Sequence, residues 1–235
     1  MISRTVTRAT TVVALGLCVI VSCVVPAAHA QKKTATVLIV GDSVASVLHW
    51  APAAMVPLWR SQYNIILETW GCQKLVDPGC KPPATPSALD RIKQHKNDNI
   101  DVVIVATGNN DTGPEYLRQA IRTIAAQVKK QGASLMWVTY RENGDVLFKN
   151  RTFNPVVKAE MKRAHGTVFD WNSISRRSKH WFTGDSVHMN GVGGYHFAIN
   201  IKKALDTHFG LLLATTTTST TSTTSVPTTT IAIAE

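Results

Sequence analysis

Short, uncharged, β-branched runs alternate with helix-like stretches along most of this chain, and that alternation limits the fold more than any other feature. TVLIV at 36–40 and IDVVIVAT at 100–107 are continuous, mostly β-branched runs, as strands covered on both faces should be. Further strands are predicted at 63–68, 133–139 and 167–171. Helices are predicted at 86–97, 114–131, 155–165 and 192–209, with a stretch at 44–59 broken by Pro52 and Pro57. The clearest is 114–131, where Leu117, Ala120, Ile121, Ile124, Ala125 and Val128 share one face; Pro114 suits a first turn and Gly132 a stop. Strands separated by helices make right-handed parallel βαβ units. The predicted fold class is therefore α/β, a three-layer α/β/α sandwich around a five-stranded parallel sheet of flavodoxin-like order. Ligands are then expected at the carboxyl ends of the strands.

The flanks do not share this pattern. Arg4 and Arg8 precede an uncharged apolar stretch at 9–25, then Pro26 and Ala28-His29-Ala30, which has the form of a signal-peptidase site. Residues 1–30 read as a secretory signal peptide. Ile20-Val21-Ser22-Cys23 also fits a lipobox with the lipid on Cys23, and an uncleaved anchor is a third reading, against which the shortness of the apolar run counts. Each reading exports the remainder, as a secreted or cell-surface protein. A domain is expected at 31–213, followed at 214–235 by a Thr/Ser-rich tail whose composition cannot form a core and reads as a disordered stalk.

Of four cysteines, only Cys72 and Cys80 lie in the domain, eight apart in a loop-like segment. In an exported protein they are expected to form a disulfide. A metal site would need further ligands nearby, and none stand out. The formal net charge is +10; without Arg4 and Arg8, 23 basic residues remain against 15 acidic, a balance of +8. The basic residues are scattered. They suit a solvated surface, or attraction to an anionic cell wall. An exported chain without a nucleic-acid-binding motif is not expected to bind nucleic acid.

Three polar clusters follow predicted strands, so a parallel sheet brings them to one edge: Gly41-Asp42-Ser43, Gly108-Asn109-Asn110-Asp111 and Asp185-Ser186-Val187-His188. Ser43 falls at a strand-to-helix turn, where helix N–H groups favour a developing oxyanion. Serine needs a base. His188 can supply it, Asp185 can orient the imidazole, and the Asn110 amide can donate to a tetrahedral oxyanion.

In this order the clusters resemble those of the SGNH (GDSL-like) hydrolase family over 36–210. The resemblance implies an α/β/α sandwich, Ser43, His188 and Asp185 as a catalytic triad, and no metal or organic cofactor. It also implies oxyanion donors at Ser43, Gly71 and Asn110, with Gly71 the best-placed glycine after the second strand. The surrounding Trp70-Gly71-Cys72 is similar to SGNH domains attached to membrane acyltransferases that modify bacterial surface glycans. The implied function is an exported serine esterase or deacylase acting on small, O-acetyl-type esters, on acylated small molecules or on cell-wall glycans and polysaccharides. Two other readings stand: an O-acyltransferase with the same triad, and a non-catalytic glycan-binding module. Oligomeric state is not legible.

Overall fold

The computed structural model describes residues 34–80 and 83–211. The expected signal peptide at 1–30, with its alternative lipid site at Cys23, and the tail at 214–235 lie outside the described residues. Five strands form one parallel sheet: β1 (Thr36–Gly41), β2 (Asn64–Thr69), β3 (Val102–Ala106), β4 (Ser134–Val138) and β5 (Thr167–Phe169). Their order is β2-β1-β3-β4-β5, the flavodoxin-like order expected.

Every residue of β1 and β3 is buried. Side chains alternate across a strand, so each of these strands feeds two cores. Val37 and Ile39 face one side with Leu58, Phe197 and Ile201. Leu38 and Val40 face the other with Ile92, Ile121 and Phe153. The first layer contains α1 (Val47–Trp50), α2 (Pro52–Trp59) and α7 (Gly191–His208). The second contains α3 (Ala88–Gln94), α4 (Pro114–Lys130) and α5 (Leu147–Arg163). A short α6 (Trp171–Ser175) follows β5. At Gly194 a Cβ would come within 2.9 Å of Ala54 Cβ and 2.7 Å of Val47 Cγ2, so a side chain there would force α7 away from α1 and α2.

Three expectations are corrected. α5 begins at Leu147, not Pro155, and Pro155 lies inside it. Proline normally opens a helix because it lacks an N–H. Here tertiary bonds extend the helix upstream: Asn150 Nδ2 donates to Arg141 O at 2.9 Å, and Asn154 accepts from Tyr140 N at 2.8 Å and donates to Tyr140 O at 2.7 Å. Pro57 likewise lies within α2 and does not end it. The fifth strand stops at Phe169, because Asp170 caps α6 by accepting from Ser173 N.

Candidate active site

Strand register assembles the site. Gly41 pairs with Thr69 on one side and Ala106 on the other, so three loops leave the sheet side by side. Asp42, fully buried, fastens two of them. Its carboxylate accepts from Val44 N (2.9 Å), Asn109 N (3.2 Å), Gly108 N (3.3 Å) and Thr107 Oγ1 (3.3 Å). Burial pushes the Asp42 carboxyl up, and these four hydrogen bonds oppose that shift.

Ser43 comes next. It does not open a helix, as the sequence suggested: 43–46 form turns and α1 starts at Val47 with only four residues. So short a helix supplies little macrodipole, and the electrostatics at Ser43 must come from its individual neighbours. Ser43 Oγ lies 2.9 Å from His188 Nε2. His188 Nδ1 lies 2.5 Å from Asp185 Oδ2. With the Nδ1 proton directed at Asp185, Nε2 is the acceptor for the serine hydroxyl.

One turn positions Asp185 and His188 together. Asp185 Oδ1 accepts from the N–H groups of Val187 and His188, both at 2.9 Å, and from Thr183 Oγ1 at 2.8 Å. Ser186 takes the left-handed conformation (φ 61°) that lets the chain double back. A bridge between Phe182 and Met189 closes the base of this turn. Burial raises the Asp185 carboxyl, but the hydrogen bonds from His188, Val187 and Thr183 outweigh it and hold the carboxyl well below the usual range.

The third loop follows β2. Cys72 and Cys80 form a disulfide with Cα atoms 5.6 Å apart, within ordinary limits. It closes the segment beside Gly71. Thr85 Oγ1 donates to Gly71 O at 3.2 Å, and Gly79 N donates to Thr85 O at 2.7 Å. Asn110 Nδ2 donates to Gln73 O at 3.0 Å, and Leu75 N donates to the Asp111 carboxylate at 3.2 Å. The loops bearing Gly71 and Asn110 are thus fastened to each other. Burial raises Asp111 to about 6, against the hydrogen bonds of Leu75 and Tyr116. Among the described residues, the backbone N–H groups of Ser43 and Gly71 meet no protein acceptor.

Sequence reasoning missed the residues behind this edge. Tyr140 donates its hydroxyl to Thr107 O at 2.9 Å and lies against Gly108, whose φ of 138° and lack of Cβ leave room for the phenol. Arg141 is 5% exposed and donates Nη1 to Ser186 O, inside the Asp185–His188 turn. The one sequence signal for this region was the pair Asn150 and Asn154, one turn apart on a single helix face. Among the described residues no helix is long and apolar enough to cross a membrane.

No protein-family model and no curated protein matches the sequence. Solved structures do. A GDSL-like lipase from Bacteroides thetaiotaomicron is 16% identical, covering 75% of this chain and 90% of its own, with a TM-score of 0.60. The psychrotrophic esterase EstA from Pseudoalteromonas sp. is 12% identical over 74% and 98% of the two chains, with a TM-score of 0.58. An acetyl xylan esterase from Geobacillus stearothermophilus is 12% identical over 75% and 94%, with a TM-score of 0.52. At such identities the likeness is one of architecture, and on that basis the chain has the SGNH (GDSL-like) hydrolase fold.

Proposed function

We propose that this protein is an exported serine hydrolase that cleaves short-chain carboxylic esters, with a polysaccharide or cell-wall glycan as the alcohol. One observation carries the reading: Ser43 Oγ, His188 and Asp185 form an unbroken hydrogen-bonded chain, with links of 2.9 and 2.5 Å. Ser43 Oγ attacks the ester carbonyl as His188 Nε2 takes its proton, and the ionised Asp185 stabilises the imidazolium. The oxyanion is received by the N–H groups of Ser43 and Gly71 and by the second amide hydrogen of Asn110, whose first is held by Gln73 O. His188 then protonates the leaving alcohol, and water resolves the acyl-enzyme. Export agrees with the disulfide, and a glycan agrees with the exposed Trp70, next to Gly71 in the chain, and the exposed Trp50, seven residues after Ser43.

Hydrolysis of p-nitrophenyl acetate tests the reading. We expect turnover by the wild type, a fall in kcat of about 10⁶ for Ser43→Ala and His188→Ala, and a fall of about 10⁴ for Asp185→Asn, each still folded. A wild type without turnover, or a Ser43→Ala variant with full activity, contradicts it. A glycan acceptor in the same assay examines the transferase reading: acetyl transferred in excess of acetate released replaces hydrolysis by transfer.

A further inference from the structure

Beside the site's loops lies a cavity of about 30 Å³, room for about two water molecules. Its lining includes the residues next to the site in sequence: Val44 and Ala45 after Ser43, Asn109 before Asn110, Val187 before His188. Most of the wall is apolar, but Arg141, Asn150 and Trp171 are set into it.

Arg141 is the anomaly. Its guanidinium stacks on Phe182, with Cζ 3.9 Å from the ring centroid, and Nη1 donates to Ser186 O. Nε and Nη2 have no partner, and no carboxylate among the described residues pairs with the side chain. Burial alone pulls its pKa down. Burying a charge without a counter-charge is strongly unfavourable, and buried charges are almost always paired. Nε and Nη2 are not a random pair. They form one edge of the planar guanidinium, the edge that holds a carboxylate through two parallel hydrogen bonds. A third unpartnered donor, Nε1, belongs to Trp171, which also lines the cavity. The remaining unpartnered atom on the cavity wall, Asn150 Oδ1, is an acceptor and adds nothing to the grip on an anion.

We propose that this cavity is an anion subsite, and that the acyl group cleaved at Ser43 ends in a carboxylate gripped by Arg141, as in malonyl or succinyl hemiesters. The proposal rests on the hydrolase reading and refines it: a space for about two water molecules suits the terminal carboxylate alone, with a short acyl chain reaching it from Ser43, and the carboxylate replaces the plain acetyl expected from sequence. The chemistry balances as ordinary acyl transfer. The Ser43 Oγ–carbonyl bond forms as the ester C–O bond breaks, the alcohol leaves with the proton from His188, and water releases the free dicarboxylate. The carboxylate held by Arg141 is a spectator that fixes the acyl chain.

Two acyl groups of equal carbon count test this, as 4-methylumbelliferyl hemisuccinate and 4-methylumbelliferyl butyrate. We expect the wild type to favour the succinyl ester by at least about tenfold in kcat/KM, because a desolvated guanidinium left unpaired penalises the neutral chain. Arg141→Met should erase that preference. Independently of turnover, calorimetry on Ser43→Ala should show binding of succinate but not butyrate, and no succinate binding once Arg141→Met is added. Equal or better cleavage of the butyryl ester, with no succinate binding, overturns the anion subsite and leaves the hydrolase reading intact. Succinate binding without turnover of any ester keeps the subsite and overturns the hydrolase reading.

Discussion

Single residues at this edge do structural work that their chemistry makes measurable. Asp42 and Asp111 are buried carboxylates, and burial raises both. For Asp111, raised to about 6, the folded state holds its proton more tightly than the unfolded chain, whose carboxyl titrates near 3.9. Folding is therefore favoured below that lower value, and stability is lost as pH rises through about 6. Asp111→Asn removes this dependence. Urea unfolding at pH 4 and pH 7 should show the variant gaining on the wild type as pH rises, by on the order of 2–3 kcal/mol; an equal difference at both pH values contradicts the assignment. Asp185 has the opposite sign. Its depressed carboxyl stays ionised across the usual carboxylate range, so its contribution is lost only below it. Gly108 is set by space and backbone together. Gly108→Ala puts a Cβ 2.1 Å from the Tyr140 hydroxyl at a φ of 138°. We expect thermal or urea unfolding to register a loss of about 2–4 kcal/mol.

Among the elements, the segment after β2 shows how loops without regular structure are made stiff. The Cys72–Cys80 disulfide, the Thr85 bond to Gly71 O and the Asn110 bond to Gln73 O all act within one short stretch. Replacing both cysteines by alanine should lower stability by about 2–3 kcal/mol, from the entropy regained by the unfolded chain. If Gly71 lends its N–H to the oxyanion, kcat on p-nitrophenyl acetate should fall more than KM rises; an unchanged kcat separates the disulfide from catalysis. These elements also show what the sequence could and could not convey. Strands such as IDVVIVAT announce themselves because both faces are buried, and a parallel sheet brings Ser43 and Asn110 to one edge whatever the loops do. Pro155 misled because its local preference for a helix start is outweighed by Asn150 and Asn154 gripping the backbone of Tyr140 and Arg141. Arg141 itself was illegible. A lone arginine after a strand reads as surface, and its burial depends on Phe182 and Ser186, more than forty residues away.

At the largest scale, the described residues are built on a sheet that serves two cores at once. Leu38 and Ile39 are neighbours in β1, both fully buried, yet they belong to opposite layers. Truncating either to alanine should cost about 2–5 kcal/mol. Because one strand anchors both layers, fluorescence and circular dichroism should report a single coincident unfolding transition in each variant; separate transitions for the two layers contradict a shared core. The same sheet fixes the positions of Ser43 and Asn110, while the Asp185–His188 turn is carried to it by Met189, Phe182 and α7. The central claim is that this geometry makes Ser43 a nucleophile. Intact-mass measurement of the folded protein after treatment with a fluorophosphonate tests it most directly. We expect one adduct, mapped to Ser43 and absent from Ser43→Ala; a folded wild type that stays unlabelled, or labelling that persists in Ser43→Ala, contradicts the account.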